Sequence, residues 1–296
     1  MKFLNFVIEV FLLFFLFQIT ALGQENIPDS ITIERDTVLL KGKFYESKEE
    51  GFLPTLVLLP GFPGDENDVI GLGPRLSQFG VNVMMFNYSG THKSQGRWGF
   101  KSVQADITAA LKFLHNSINI NKFGIDTTNI ILGGHSYGGG MAMSFAIEHP
   151  EIDKVISIAG NDWGEHFEDY VRDANLKTAI DGMVDWAVSS GTVRPEKGEL
   201  PKELLANGTD GLDSSLYLKR NAEILAQKNV LLICAWNDTG VFIEKYVLPL
   251  YRALQKENAK HVRIIAYQDD HNFNNSRDEM ANSIKDWIKQ LRNGEN

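Results

Sequence analysis

The chain has 296 residues and a formal net charge of -9, with an isoelectric point near 5.3. This length suits one α/β domain with an inserted segment, and the apolar and charged fractions are those of a globular protein. An acidic chain without a dense run of Lys and Arg lacks the basic field that phosphate binding needs, which argues against a nucleic-acid partner. Nothing in the sequence marks an oligomer interface.

Residues 1–23 predict a signal peptide. The positive residue Lys2 precedes an apolar stretch, 10–17, and a small-x-small pattern that ends at Gly23. A membrane anchor is the alternative, because the apolar segment approaches the roughly 20 residues that a spanning helix needs. Glu9 would be costly inside a bilayer, which favours cleavage. We therefore expect a secreted or periplasmic protein without stable membrane insertion after cleavage.

Strand and helix patterns alternate along the rest of the chain. Alternating apolar and polar residues predict an antiparallel hairpin at a sheet edge, at 31–35 and 38–45. Continuous apolar runs are typical of strands buried on both faces, and they occur at 55–59, 81–86, 129–132, 154–159, 230–235 and 262–266. Helical patterns lie between them, at 69–79, 103–117, 141–148, 242–256 and 277–291. The alternation predicts an α/β fold with a mostly parallel central sheet and helices on both faces.

The segment from about 162 to 228 interrupts this alternation. It has no strand-like run, and its amphipathic helical pieces carry five aromatic residues, Trp163, Phe167, Tyr170, Trp186 and Tyr217. A bare loop of this length is uncommon in a compact domain, so we predict an inserted helical cap within one domain, 24–296. Because ligand pockets are mostly apolar, these aromatic residues are candidates for a ligand-facing surface, although they suit a small core of the cap equally well. Trp98 and Phe100 are candidates for the opposite wall.

The strongest chemical signal follows the predicted strand at 129–132. Residues 134–138 read Gly-His-Ser-Tyr-Gly, a G-x-S-x-G pattern with a buried strand before it and a helix after it. A nucleophile elbow requires this strand-turn-helix setting, and the flanking glycines remove side chains that would clash at the strained turn. The pattern predicts Ser136 as a nucleophile, with an ordinary Gly-rich turn as the alternative.

A serine hydroxyl needs a base to remove its proton, and His271 is the candidate because it lies between the last predicted strand and the last helix. Asp238, after the preceding strand, is the candidate acid that orients the imidazole, in the chain order Ser, Asp, His. Asp162, after an earlier strand, is its rival. Asp269 and Asp270 flank the histidine, at a spacing too short to reach its Nδ1.

Acyl transfer also needs donors for the oxyanion of the tetrahedral intermediate. The backbone N–H of Tyr137, directly after the predicted nucleophile, is one candidate. The second candidate lies in the Pro-Gly-Phe-Pro-Gly turn at 60–64. There the N–H of Phe62 is favoured, because the next residue is a proline with no N–H to give. Gly61 or Asp65 would serve the same mechanism, and a plain turn is the alternative.

These motifs resemble those of the α/β-hydrolases, closest in style to the stand-alone prolyl-oligopeptidase-like and dienelactone-hydrolase-like members. The resemblance covers the chain after the signal peptide, and the segments that carry it are 59–64, 86–90, 94–96, 134–138, 237–238 and 270–273. It implies the α/β-hydrolase fold, with a catalytic triad and an oxyanion hole formed by Ser136, Asp238, His271, Phe62 and Tyr137.

The sequence departs from the family at two turns. The frequent His-Gly oxyanion turn is here Pro60-Gly61, and the frequent Asp-x-Arg-Gly after the fourth strand is here Asn-Tyr-Ser-Gly at 87–90. The missing Arg and Asp are the usual supports of that second loop. What holds the loop at 87–90 is therefore left open by the sequence.

Three functions are compatible with these features. The first is a serine hydrolase that cleaves an ester through an acyl-enzyme on Ser136. The second is a serine peptidase of prolyl-oligopeptidase-like type that acts on short peptides or acyl-amino acids, and the third is a non-catalytic binding protein on the same fold. The predicted partner is a small molecule or a short peptide, and the predicted chemistry needs neither a metal nor an organic cofactor.

Overall fold

A computed structural model describes residues 27–65 and 69–294. The predicted signal peptide, 1–23, lies outside these ranges, so its cleavage stays a prediction. Among the residues that are described, no helix has both the length and the apolar character needed to cross a bilayer.

Eight strands of the described ranges form one sheet. In chain order they are β1 (Asp29–Arg35), β2 (Val38–Tyr45), β3 (Leu53–Leu59), β4 (Asn82–Phe86), β5 (Ile125–His135), β6 (Lys154–Ile158), β7 (Asn229–Ala235) and β8 (Val262–Tyr267). Their order across the sheet is β1-β2-β4-β3-β5-β6-β7-β8. Strand β2 is antiparallel to both neighbours, and all pairs from β4 to β8 are parallel. The predicted edge hairpin is confirmed.

The helices follow in the same chain order. They are α1 (Leu72–Leu76), α2 (Phe100–Leu114), α3 (Ser117–Phe123), α4 (Tyr137–Glu148), α5 (Trp163–Arg172), α6 (Ala174–Ser189), α7 (Pro201–Leu204), α8 (Ala222–Leu225), α9 (Leu248–Lys256) and α10 (Arg277–Asn293). A π-helical segment, Ile243–Val247, leads into α9.

Two hydrophobic cores lie on the two faces of the sheet. Along β3, Val57 and Leu59 belong to one core, whereas Leu56 and Leu58 belong to the other. Because successive side chains of a strand point to opposite faces, a strand between two cores is apolar throughout. Helices α2, α4 and α9 pack in the first core, and α1 and α10 pack in the second. The predicted α/β class, with helices on both faces of a mostly parallel sheet, is confirmed.

The helix predicted at 103–117 is wrong in its extent. The structure has two helices there, because α2 ends at Leu114 and Asn116 starts α3. The Asn116 side chain accepts a hydrogen bond from the N–H of Ile118 at 2.9 Å, which is an N-cap interaction. Helix α3 ends at Phe123, and the next residue, Gly124, has a positive φ of 58°, which suits glycine.

The chain between β6 and β7 contains α5, α6, α7 and α8, where the sequence predicted a helical cap. Two isolated bridges tie this insertion to the loop after β4, one between Thr91 and Val193 and one between Trp98 and Pro195. The insertion thereby lies against the carboxyl end of the sheet. In open α/β sheets, ligands bind at that end.

Candidate active site

Ser136 occupies the tight turn between β5 and α4. Its backbone has φ 54° and ψ -118°, a strained conformation for a residue other than glycine. The turn brings backbone so close together that a Cβ on Gly134 would clash with Gly138, and a Cβ on Gly138 would clash with the carbonyl oxygen of Leu59. Both glycines are therefore required by close backbone approach, and the turn has the geometry of an elbow.

His271 and Asp238 come together from the loops after β8 and β7. The distance from His271 Nδ1 to Asp238 Oδ2 is 2.7 Å. The other carboxylate oxygen accepts the N–H groups of Gly240 and Val241, both at 2.8 Å. Burial opposes ionisation of Asp238, but the hydrogen bonds from His271 and these two amides hold its pKa below the ordinary value. Because the carboxylate accepts, His271 carries its proton on Nδ1, and its Nε2 is left as a base.

The rival carboxylates have other partners. Asp162 accepts an N–H from the first turn of α5 and, at 2.8 Å, the N–H of Lys219, so it caps the helix. Asp269 accepts the hydroxyl of Ser276 at 2.8 Å and an N–H of the same loop. Asp238 is thus the carboxylate that the structure places on the imidazole of His271.

Ser136 and His271 line one cavity of about 420 Å³. Its wall is largely apolar. Aromatic side chains come from loops and from α2 and α5, and they include Phe62, Trp98, Phe100, Trp163 and Phe167. Aliphatic side chains come from α6, and they are Leu176, Ala179, Ile180, Met183 and Val184. A cavity of this size and character suits a small ligand with a hydrocarbon portion.

The predicted cap aromatics divide into two groups. Trp163 and Phe167 line the cavity. The hydroxyl of Tyr170 instead donates to Asp181 at 2.6 Å, Trp186 is 60% exposed, and Tyr217 lies under the guanidinium of Arg220. The sequence pattern alone did not separate these groups, because aromatic side chains at helical spacing serve a ligand surface and a small core equally well.

The candidate oxyanion donors also border the cavity. Tyr137 is the first residue of α4, where backbone N–H groups have no intrahelical acceptor. The turn that contains Phe62 passes directly beside Ser136, since a Cβ on Gly61 would lie 3.3 Å from the Ser136 Cβ. The buried Tyr88 hydroxyl holds this turn by donating to the carbonyl of Pro60 at 2.7 Å.

The loop at 87–90 has supports that the sequence did not predict. Asp106 on α2 accepts the backbone N–H of Ser89 at 2.7 Å and the Ser89 hydroxyl at 2.6 Å. Arg35 on β1 forms an ion pair with the same carboxylate at 2.6 Å. Burial raises the pKa of Asp106 to about 6, against the effect of the bonds from Ser89 and Arg35. An Arg and an Asp thus support the loop from two distant elements instead of from within it.

His135 is a further residue that the sequence reasoning missed. Its Nε2 lies 2.8 Å from the backbone carbonyl oxygen of His271, and the two rings are 4.8 Å apart. Burial, together with the neighbouring His271, lowers the pKa of His135 to about 4. The neutral ring therefore donates from Nε2 to that carbonyl and connects the turn of Ser136 to the loop of His271. Its place in the G-x-S-x-G pattern was the only signal.

A family model for the alpha/beta hydrolase fold matches residues 54–188. Cutinase est2 of Thermobifida alba is 24% identical over 198 residues, which cover 60% of this chain and 63% of the cutinase. The chain spans less than two thirds of the length of the curated relatives that it matches. These matches agree with the strand-turn-helix geometry at Ser136.

Solved structures of hydrolases resemble this chain over a larger part of its length. An esterase of Pyrococcus furiosus has a TM-score of 0.64 at 16% identity, with 89% of this chain and 91% of the esterase covered. The acylaminoacyl peptidase of Pyrococcus horikoshii has a TM-score of 0.61 at 14% identity, with 91% and 42% covered. Likeness at such low identity concerns the fold and not the activity. The sheet order, the family match over residues 54–188 and these neighbours together show that the chain has the α/β-hydrolase fold.

Proposed function

We propose that the protein is a serine hydrolase that cleaves carboxylic esters through an acyl-enzyme on Ser136. One observation carries the proposal. A serine at a strained elbow and an imidazole held by a buried carboxylate line the same apolar cavity. The likeness to a cutinase and to an esterase is consistent with this chemistry.

In the proposed mechanism, His271 Nε2 accepts the proton of the Ser136 hydroxyl, and the oxygen attacks the ester carbonyl. Asp238 stabilises the imidazolium that forms. The N–H groups of Phe62 and Tyr137 donate to the oxyanion of the tetrahedral intermediate. His271 then protonates the leaving alcohol. Water attacks the acyl-enzyme in the second half of the reaction, with His271 again acting as base and then as acid.

The cavity wall favours an ester over a peptide. A peptide carries an N–H and a C=O in every residue, and each of these groups needs a partner when it is buried. Most side chains that line the cavity are apolar, and the wall offers only a few unpartnered polar atoms, among them the indole N–H groups of Trp98 and Trp163. An ester with a hydrocarbon portion avoids that cost.

Activity-based labelling tests the serine. A fluorophosphonate should label the wild-type protein and leave Ser136→Ala unlabelled. Ser117→Ala, at an exposed serine on α3, is the matched control and should label like the wild type. A folded wild-type protein that stays unlabelled would leave a binding protein as the better hypothesis.

A substrate panel tests the class of bond. We expect the wild type to hydrolyse p-nitrophenyl esters with a higher kcat/KM than aminoacyl p-nitroanilides. The reverse order would favour the peptidase.

We also propose that the protein is exported and that residues 1–23 are removed. N-terminal sequencing of the protein recovered from its native host should begin at Gln24. An intact N-terminus in the membrane fraction would favour the anchor.

A further inference from the structure

A chain of hydrogen-bonded polar groups begins at His166 in the largely apolar wall of the cavity. His166 on α5 lines the cavity and is 5% exposed. Its Nδ1 lies 3.2 Å from the hydroxyl of Tyr246, and that hydroxyl donates to Asp169 at 2.8 Å. Lys245 forms an ion pair with the same oxygen of Asp169 at 2.9 Å.

These contacts determine which nitrogen of His166 carries the proton. A tyrosine hydroxyl has one hydrogen, and the hydroxyl of Tyr246 gives it to Asp169. Toward His166 it can therefore only accept, so Nδ1 is the protonated nitrogen. Burial, aided by the charge of Lys245 and opposed by that of Asp169, lowers the pKa of His166 to about 4. The ring is neutral at neutral pH, and Nε2 is an acceptor.

This acceptor is unused by the protein. Among residues 27–65 and 69–294, His166 Nε2 has no hydrogen-bond partner. It is not one of the fully buried side-chain atoms that lack a partner, so it is accessible from the cavity. A ligand in the cavity can therefore reach this acceptor. Here the free nitrogen belongs to a ring that borders the space where a substrate would lie.

We infer that His166 is a specificity-determining residue, whose Nε2 accepts a hydrogen bond from a hydroxyl group on the substrate. The inference rests on the proposed esterase function and narrows its substrate class to esters that carry a hydroxyl on the part that fills the cavity. The aromatic and aliphatic walls bind the hydrocarbon of such an ester. An analogue with a methyl group in place of the hydroxyl leaves Nε2 without a partner, so its kcat/KM should be lower.

Matched ester pairs test the inference. In the first pair the hydroxyl is on the acyl side, and p-nitrophenyl ω-hydroxyhexanoate is compared with p-nitrophenyl heptanoate. In the second pair it is on the alcohol side, and ω-hydroxybutyl acetate is compared with pentyl acetate. The measured quantity is the ratio of kcat/KM for the hydroxylated ester to kcat/KM for its methyl analogue.

The decisive variant is His166→Phe, which keeps a ring of similar size and removes the acceptor. For at least one pair, the ratio should fall by about tenfold or more relative to the wild type. Turnover of the methyl analogue should be retained. An unchanged ratio in both pairs, with the methyl analogue still hydrolysed, would overturn the role of His166 and leave the esterase function standing. A wild type that hydrolyses none of the four esters would overturn both.

A second variant acts on the tautomer. Tyr246→Phe removes the hydroxyl that accepts from Nδ1, so His166 is free to protonate Nε2. A hydroxyl can also accept from Nε2–H, so the ratio should fall less in this variant than in His166→Phe. Tyr251→Phe, at a tyrosine of α9 outside the cavity, is the matched control and should keep the wild-type ratio.

Heteronuclear NMR of nitrogen-labelled wild type, at neutral pH, should show His166 protonated on Nδ1. A proton on Nε2 would contradict the inference whatever the kinetics.

Discussion

The imidazole of His135 donates a hydrogen bond to the backbone carbonyl of His271 at 2.8 Å, across 136 positions of the sequence. The residue before the proposed nucleophile thus holds the loop of the proposed base. In the proposed mechanism the relative placement of these two loops matters, so we expect His135 to act as a positioning residue that does not touch the reacting atoms.

The first prediction concerns this contact. His135→Phe keeps the ring volume and removes the donor, and we expect kcat to fall by about tenfold, with little change in KM. His135→Gln can still donate from its side-chain amide, so it should recover part of the loss. The kcat and KM of both variants are measured on a p-nitrophenyl ester. A fall in thermal stability with an unchanged kcat would indicate a purely structural residue.

The second prediction separates Asp238 from its rival. Asp238→Asn keeps the shape of the side chain but presents an amide to His271 Nδ1, which favours the wrong tautomer. We expect kcat to fall by about 10³-fold or more. Asp162→Asn is the matched control. Asn caps a helix about as well as Asp, so this variant should change the stability little and leave kcat near the wild-type value. A larger loss of kcat in the control than in Asp238→Asn would reverse the assignment.

The third prediction is a pH dependence of stability. In the unfolded chain histidine has its ordinary pKa of about 6.5, whereas His166 in the folded protein has a pKa of about 4. Above both values neither state takes up a proton, so His166 adds no pH dependence there. As the pH falls from about 6.5 to about 4, the histidine binds a proton in the unfolded state but not in the folded state. The free energy of unfolding therefore decreases.

The size of this loss is about 2 kcal/mol at about pH 5, relative to about pH 7. The raised pKa of Asp106 has the opposite effect on the stability of the whole protein as the pH falls. The contribution of His166 therefore has to be measured as a difference between the wild type and a variant. Urea denaturation of the wild type and His166→Gln at both pH values isolates the histidine. The variant should lose about 2 kcal/mol less than the wild type on acidification. Equal losses would show that the folded state does not exclude the proton.

The fourth prediction concerns the loop at 87–90. Asp106→Asn removes the charge that pairs with the partly buried Arg35, and it weakens the bonds to Ser89. We expect a loss of about 1 to 3 kcal/mol in the free energy of unfolding, because Arg35 and the two donors of Ser89 lose a charged acceptor. The substitution also removes the cost of burying the charge, which raises the pKa of Asp106, and this limits the loss. Denaturant titration measures the loss. Asp126→Asn, at the second residue of β5, is the control. Its side chain accepts hydrogen bonds only from Thr128 and Asn129, so it should lose less stability than Asp106→Asn.

Local patterns in the sequence predicted much of the fold. Continuous apolar runs marked the strands, because a strand with a core on each face has no solvent side. The Gly-x-Ser-x-Gly turn marked the elbow, because its close backbone contacts admit only glycine at 134 and 138. The same local reasoning failed at 103–117, where the cap formed by Asn116 divided an apparently continuous helix.

The sequence by itself determined the strands, the elbow and the candidate groups for proton transfer, since each depends on neighbours a few positions away. Only the tertiary structure decided which groups meet. It placed Asp238 and not Asp162 on His271, it brought Arg35 to Asp106, and it joined His166 to Tyr246. The physical reason is that these pairs lie on different elements, so their contacts depend on how the sheet orders its strands and how the insertion packs over them. No local periodicity encodes that.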